Sequence, residues 1–486
     1  MKSLAKDTAI YGLSSIIGKF LNYLLVPLYT YKLANQADYG IVTNLYAWTA
    51  LLLVLLTYGM ETGFFRFANR EDYDSKSVYR TAYFTLLTTS VFFAILVITL
   101  QQPIANVLGY ADHSEFIAMM FAIVSADAFA CIPFAYLRQQ KRPLLFAGLK
   151  LLFVLLNIAF TILFIVILGK TNVFYVFLSN ILATTIQTLC LLPFTLPKGG
   201  RFDWSILRVM LRYSLPLLVL GVAGIMNQTL DRILFPYLYT GADGQTQLGI
   251  YGACFKVAMV MMMFTQAFRY AYEPFVFAKH KDRNSVEAYA DGMKYYVIFS
   301  YLILLGVIFY LDIFKFIIDR SYWDGLLIVP VVLWTYVFQG IYFNLSFWYK
   351  LTDETKWGAY FSLIGLVITL VIQIVGVPLI GYWASCGSSF VCYFIIMLLS
   401  YFIGQHKVPI PYDLKKIGMY TLLTVVLLAI YYASRYALHL HMWQSMVIGT
   451  LLLAVYMAVL FKSDFPIKNY LHVLRNRRNN GSGRSN

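Results

Sequence analysis

With 486 residues, 60% of them hydrophobic and 13% charged, and a mean hydropathy of +0.68, the chain carries about half the charge of an ordinary soluble domain, so water is not its main solvent. A net charge of +15 would by itself suggest a nucleic-acid partner, but most of the 38 basic residues fall in every other loop, as membrane topology dictates and nucleic-acid binding does not. Phosphate-loop, dinucleotide-glycine and His-Glu-x-x-His patterns are missing, which excludes ATP hydrolysis by the chain itself, and the loops are too short to hold a catalytic soluble domain.

Apolar runs near 20 residues start around Thr8, Ile41, Tyr79, His113, Leu144, Asn172, Tyr213, Leu248, Met293, Leu326, Trp357, Tyr382, Ile417 and Met442. They predict an all-α polytopic membrane protein of about 14 transmembrane spans. Basic clusters recur at Arg70/Lys76/Arg80, Arg138/Lys141/Arg142, Lys198/Arg201/Arg208/Arg212, Lys279/Lys281/Arg283, Lys407/Lys415/Lys416 and Arg475/Arg477/Arg478. That alternation places both termini in the cytoplasm. Lys2 and Lys6 precede a first span with no small-residue cleavage site, so an uncleaved anchor is expected. The five cysteines read as small hydrophobes, and His439 with His441 as a solvated loop pair; no metal site or cofactor is expected.

In chain order, span 1 carries Lys19, Asn22 and Tyr23 at i, i+3 and i+4, a polar stripe on one helical face, followed by Pro27. Span 2 carries Glu61, with Arg66 at its inner end, and span 4 carries Asp127. Span 7 carries Asn227, Asp231 and Arg232, then Pro236. Asp231 and Arg232 lie about 100° apart around the helix axis, so separate partners are expected for them. Span 8 carries Lys256 and Arg269, with Glu273 one turn beyond Arg269 as a structural ion pair. Exposing the seven charges within the spans to hydrocarbon would cost about 20 kcal/mol, more than a protein's usual net stability. They must therefore face water or one another, and their basic lean favours an anionic cargo. Most of the 39 tyrosines read as interfacial belts and packing, though some fit a sugar-lined cavity.

Span 1 matches span 7 at a constant shift of 209 residues: Gly12 on Gly221, Leu21 on Leu230, Leu25 on Leu234, Pro27 on Pro236, Gly40 on Gly249 and Ile41 on Ile250. A shift over six spans preserves orientation, so the halves are parallel repeats. The expected organisation is an N-lobe over 1–197 (spans 1–6), a C-lobe over 198–404 (spans 7–12), spans 13 and 14 over 405–465, and a basic cytoplasmic tail over 466–486. Paired Pro27 and Pro236 mark expected hinges. One chain supplies both lobes, so a monomer suffices.

Thr8-Ala9-Ile10-Tyr11-Gly12, Lys19-Phe20, Pro27-Leu28-Tyr29-Thr30, Asp38-Tyr39-Gly40, Met60-Glu61-Thr62-Gly63 and Asp231-Arg232 together resemble the polysaccharide-flippase branch of the multidrug/oligosaccharidyl-lipid/polysaccharide (MOP) exporter superfamily. The resemblance implies a bacterial inner-membrane protein of O-antigen or capsule assembly. It would move undecaprenyl-diphosphate-linked oligosaccharide from the cytoplasmic to the periplasmic leaflet, through a cationic cavity between two six-helix lobes. By the same resemblance Lys19, Arg232, Lys256 and Arg269 are candidates for the diphosphate and sugar path, and Asn22 and Tyr23 join them as substrate-binding candidates because their stripe offers donors to a polar ligand. Glu61, Asp127 and Asp231 are candidates for coupling to H+ or Na+ or for ion pairs, and other polysaccharide-assembly proteins are candidate partners. The rivals are a cation-coupled multidrug exporter of the same superfamily, for which 12 spans and a more acidic or aromatic cavity are expected, and a membrane-embedded glycosyl- or acyltransferase. The latter needs a catalytic carboxylate or histidine on a sizeable surface loop.

Overall fold

The computed structural model describes residues 2–241, 243–279, 285–352 and 354–464. The predicted basic residues Lys281 and Arg283 and the tail from residue 466 lie outside the described residues. In chain order the helices are α1 (Lys2–Tyr23), α2 (Leu25–Lys32), α3 (Gln36–Thr57), α4 (Met60–Ala68), α5 (Ser75–Thr99), α6 (Gln101–Val107), α7 (Ser114–Gln139), α8 (Pro143–Thr161), α9 (Val173–Thr195) and α10 (Trp204–Leu238). They continue as α11 (Gly244–Val257), α12 (Met259–Lys279), α13 (Ser285–Phe309), α14 (Leu311–Phe314), α15 (Val329–Leu345), α16 (Phe347–Leu351), α17 (Lys356–Ile380), α18 (Tyr382–Lys407), α19 (Leu414–Ala437) and α20 (Met442–Ser463). Asn35, Asp74, Asn172, Asp203 and Asp413 cap the helices that follow them with side-chain oxygens, satisfying amides that lack an intrahelical partner.

Among the described residues, 12 helices are long and apolar enough to cross a membrane, and 13 with the pair α11–α12, which bends by 48° at its break. Every predicted span from Ile41 onward falls on one of them. The expected count of about 14 is approached among the described residues, with the exact number not reached there. The remaining expected span starts at Thr8, in α1, and is interrupted at Leu24 before α2. Pro27 lies one turn beyond that interruption, where its missing amide leaves the Tyr23 carbonyl without its helical donor. Its repeat equivalent Pro236 behaves differently: α10 runs unbroken through it to Leu238, because so little helix remains that few bonds are affected.

The helices gather into two compact units. Of the described residues, those up to 285 and from 317 to 409 form one, and those from 286 to 316 and from 410 to 464 the other. Within the first unit the most extensive helix pair is α3 against α11, equivalent positions of the two repeats. A Cβ on Gly40 would collide with the Gln245 carbonyl, and a Cβ on Gly249 with the Gln36 carbonyl. Gln36 and Gln245 are themselves related by the 209-residue shift, so the match extends further than the residues first aligned. The two glycines let the backbones meet reciprocally, as small residues do where membrane helices cross closely. Each glutamine then reaches into the other half: the Gln36 amide donates to the Ser321 carbonyl, and Gln245 Nε2 to the Tyr110 hydroxyl at 3.2 Å. Helix α3 ends where Tyr58 and Gly59 both adopt positive φ (35° and 69°). At Gly59 a side chain would also meet the Ser214 carbonyl at 2.9 Å. The following helix α4 buries Met60, Phe64 and Phe67 with Ile206, Leu207 and Met210 of α10.

The second unit packs α13 with α19 and α20. Tyrosine hydroxyls tie them: Tyr301 to Thr421, Tyr310 to Thr450 and Tyr456 to the Ile298 carbonyl, each at 2.8 Å. At one end Asp312 accepts from Lys315 at 2.8 Å and pairs with Arg435 at 2.8 Å. Burial pushes the Asp312 carboxyl up, but hydrogen bonds and charge from Arg435 and Lys315 outweigh it and hold the group below its usual range. Because the folded value is depressed, this stabilisation is present at neutral pH and is lost as pH falls below about 4, through the folded value. Asp312→Asn is expected to cost about 3 kcal/mol at pH 7 and to remove this acid-sensitive component, as read by thermal unfolding between pH 3 and 7.

Candidate functional site

Helices α10, α11, α12, α15, α16 and α18, with Ala50 of α3 and Ser362 of α17, line a cavity of about 550 Å³, within the ~300–1,000 Å³ typical of ligand sites. Four cations line it: Arg232, Lys256, Arg269 and Lys350. Each reaches it for a local reason. Asp231 is turned away and accepts the Tyr251 hydroxyl at 2.5 Å, which leaves Arg232 on the cavity side with its guanidinium 4.6 Å from the Phe255 ring centre. The expectation of separate partners needs correction, since Arg232 Nε still lies 3.3 Å from Asp231 Oδ1; neighbouring side chains point about 100° apart, but a long guanidinium can fold back.

Lys256 closes α11 just before the bend, and no carboxylate among the described residues lies within ion-pair distance of it. Arg269 pairs with Glu273 at 3.3 Å, as expected from their spacing, and Glu273 is shared with Lys350 at 3.7 Å. Both cations sit over the Phe343 ring, at 4.8 and 4.7 Å. Each gains about 0.5–1 kcal/mol from the ring face.

Lys19 meets the rim of this group through Gln266, which accepts from its Nζ at 2.6 Å. The rest of its stripe separates. Asn22 is exposed, whereas Tyr23 is buried with a hydroxyl that has no partner among the described residues, and neither lines the cavity. Asn227 lines it while donating to the Ser362 carbonyl at 2.9 Å. Glu61 and Asp127 lie elsewhere. Glu61 pairs with Arg138 and accepts from the Cys131 thiol at 3.2 Å. Asp127 interacts with Lys150, whose ammonium sits 3.9 Å from the Phe134 ring centre. The first half thus balances its acids with bases, while the second gathers cations. Opposite them the cavity wall offers neutral donors and acceptors: Gln339 donates to the Tyr393 hydroxyl at 2.8 Å, and the Tyr342 and Tyr349 hydroxyls are 3.3 Å apart.

Lys350 and Lys150 were not singled out from the sequence. Lys350 lies at a span end, where it reads as one more topological lysine. Lys150 was legible as a charge inside the apolar run from Leu144. Gln266 and the tyrosine–glutamine wall gave no sequence signal distinct from ordinary interhelical bonding.

Comparison with known proteins agrees with this geometry. Residues 4–272 match the model of a family described as polysaccharide biosynthesis protein. A protein of the Lsg locus of Haemophilus influenzae is 22% identical over 305 residues, 62% of this chain and 71% of that protein. Among solved structures, the lipid II flippase MurJ in an inward closed conformation superposes with a TM-score of 0.74 at 12% identity, covering 93% of this chain and 98% of its own. An inward-facing multidrug resistance MATE family transporter of the MOP superfamily gives a TM-score of 0.64 at 11% identity, over 82% of this chain and 94% of its own. The chain therefore belongs to the polysaccharide biosynthesis protein family and is built on the flippase and exporter fold of the MOP superfamily.

Proposed function

We propose that this protein is a flippase that moves a lipid-diphosphate-linked oligosaccharide from the cytoplasmic to the periplasmic leaflet of a bacterial inner membrane by alternating access. The observation that carries this reading is the cationic cavity: Arg232, Lys256, Arg269 and Lys350 around one space, with tyrosine hydroxyls and amides facing them. Cations and planar donors suit a diphosphate, and ring faces with hydroxyls suit sugars. The lipid tail stays in the bilayer while the head group crosses inside. Carrying negative charge outward down an inside-negative potential gains about 2.3 kcal/mol per charge per 100 mV, so ATP is not required. The fold relative that spans more of this chain is the lipid II flippase rather than the multidrug transporter, and the basic lining argues against a cationic drug.

The test is reconstitution into vesicles with a fluorescent polyprenyl-diphosphate oligosaccharide, following head-group accessibility from each side. Protein-dependent transfer is expected, and its absence in folded protein overturns the reading. In cells, Lys19→Ala is expected to reduce surface polysaccharide at normal protein level.

A further inference from the structure

The cations of the cavity fall into two groups too far apart to serve one anion. Lys256 and Arg269 are 13 residues apart along α11–α12, which puts their Cα atoms roughly 19 Å apart at helical rise even across the bend. Helical side chains lean toward the N-terminus of their own helix, so Arg269 leans toward Lys256 but Lys256 leans away. One diphosphate cannot bridge that gap.

The group nearer the basic loops comprises Lys19, Arg269 and Lys350, with Glu273 between the last two. It carries a net surplus of two positive charges, matching the roughly two negative charges of a diphosphate diester at neutral pH. The other group comprises Arg232 and Lys256, which line the same cavity with the Arg232 guanidinium 4.6 Å from the ring of Phe255, the residue before Lys256. Asp231 offsets one of the two, but its second oxygen is taken by Tyr251. One positive charge is left over, on two partly buried side chains of the cavity wall. Burying an unmatched cation there is costly, and a ligand that supplies its counter-charge removes that cost. Tyr336 packs on the same Phe255 ring as Arg232, and Gln339 and Tyr393 line the cavity with it, neutral groups that a sugar needs.

Resting on the flippase reading, we infer that the cargo glycan is acidic: a sugar a few residues from the lipid carries one carboxylate, which Lys256 and Arg232 bind while the diphosphate occupies the Lys19, Arg269 and Lys350 group. A neutral glycan of the same size fills the same space and leaves that cation unmatched.

The test uses the full chain in vesicles and two synthetic polyprenyl-diphosphate trisaccharides that differ at the outermost sugar, a hexuronate in one and the parent hexose in the other. The initial transfer rate at limiting substrate is expected to favour the uronate by about tenfold, the effect of one charge-assisted contact. Lys256→Met is expected to bring that ratio close to one. Arg232→Gln serves as the second variant, and thermal unfolding of both checks that they fold. If wild-type protein moves both glycans at equal rates, the acidic-cargo inference is overturned and the flippase reading stands. If it moves neither, both are overturned. A ratio that persists in folded Lys256→Met and Arg232→Gln assigns the preference to other residues and overturns the inference.

Discussion

Gly40→Ala and Gly249→Ala are each expected to destabilise the protein by about 1–3 kcal/mol, the usual effect of forcing extra atoms into a closed contact. The two effects should be nearly equal, because each glycine faces the carbonyl one turn before the other. Gly387→Ala and Gly418→Ala are the controls. Nothing lies within 4 Å of a Cβ at either position, and a helical glycine replaced by alanine gains about 0.5–1 kcal/mol. Thermal unfolding of the four purified variants decides the matter: four similar shifts would show that α3 and α11 do not meet at these glycines. The α3–α11 crossing is also the strongest trace of the internal repeat, since it brings equivalent residues of both halves into mutual contact.

Removing both cations that share Glu273 is expected to have the largest functional effect. Each charge-assisted contact to a phosphate oxygen contributes about 1.5–3 kcal/mol, so Arg269→Gln with Lys350→Met should lower the transfer rate by about a hundredfold or more. Glu273→Gln should act in the opposite direction on substrate binding, lowering the KM for transfer, because it releases both cations from their internal carboxylate. Transfer at the wild-type rate by the double variant would remove the diphosphate site from this cavity.

The membrane class and the helix positions were legible in the sequence because they depend on long apolar runs and on charge alternation, both local properties of the chain. The span beginning near Thr8 shows the limit of that reading: an apolar run predicts a span, but the interruption at Leu24 follows from Pro27 acting one turn back. For the site, periodicity placed Arg232, Lys256 and Arg269 inside spans, and the structure lines one cavity with them. Spacing gave the Arg269–Glu273 pair, but it did not give the acid–base relations between helices. Glu61 of α4 finds Arg138 of α7, and Asp127 of α7 interacts with Lys150 of α8, relations that no spacing rule encodes. Nor did it distinguish Lys350 from lysines that only fix topology, since both stand at span ends and only tertiary packing turns one of them inward.

The uneven division of charge bears on how an empty carrier rests. Acids and bases offset one another in the first half, whereas the five cations around the cavity face, among the described residues, Asp231 and Glu273. A chamber left positive in this way is held back by an inside-negative voltage whenever it turns outward without a load, at about 2.3 kcal/mol per charge for each 100 mV crossed in full. An anion that neutralises it lifts that restraint. In a flippase of the proposed kind, the voltage that helps expel the cargo would thus also return the vacant carrier to the side from which it loads.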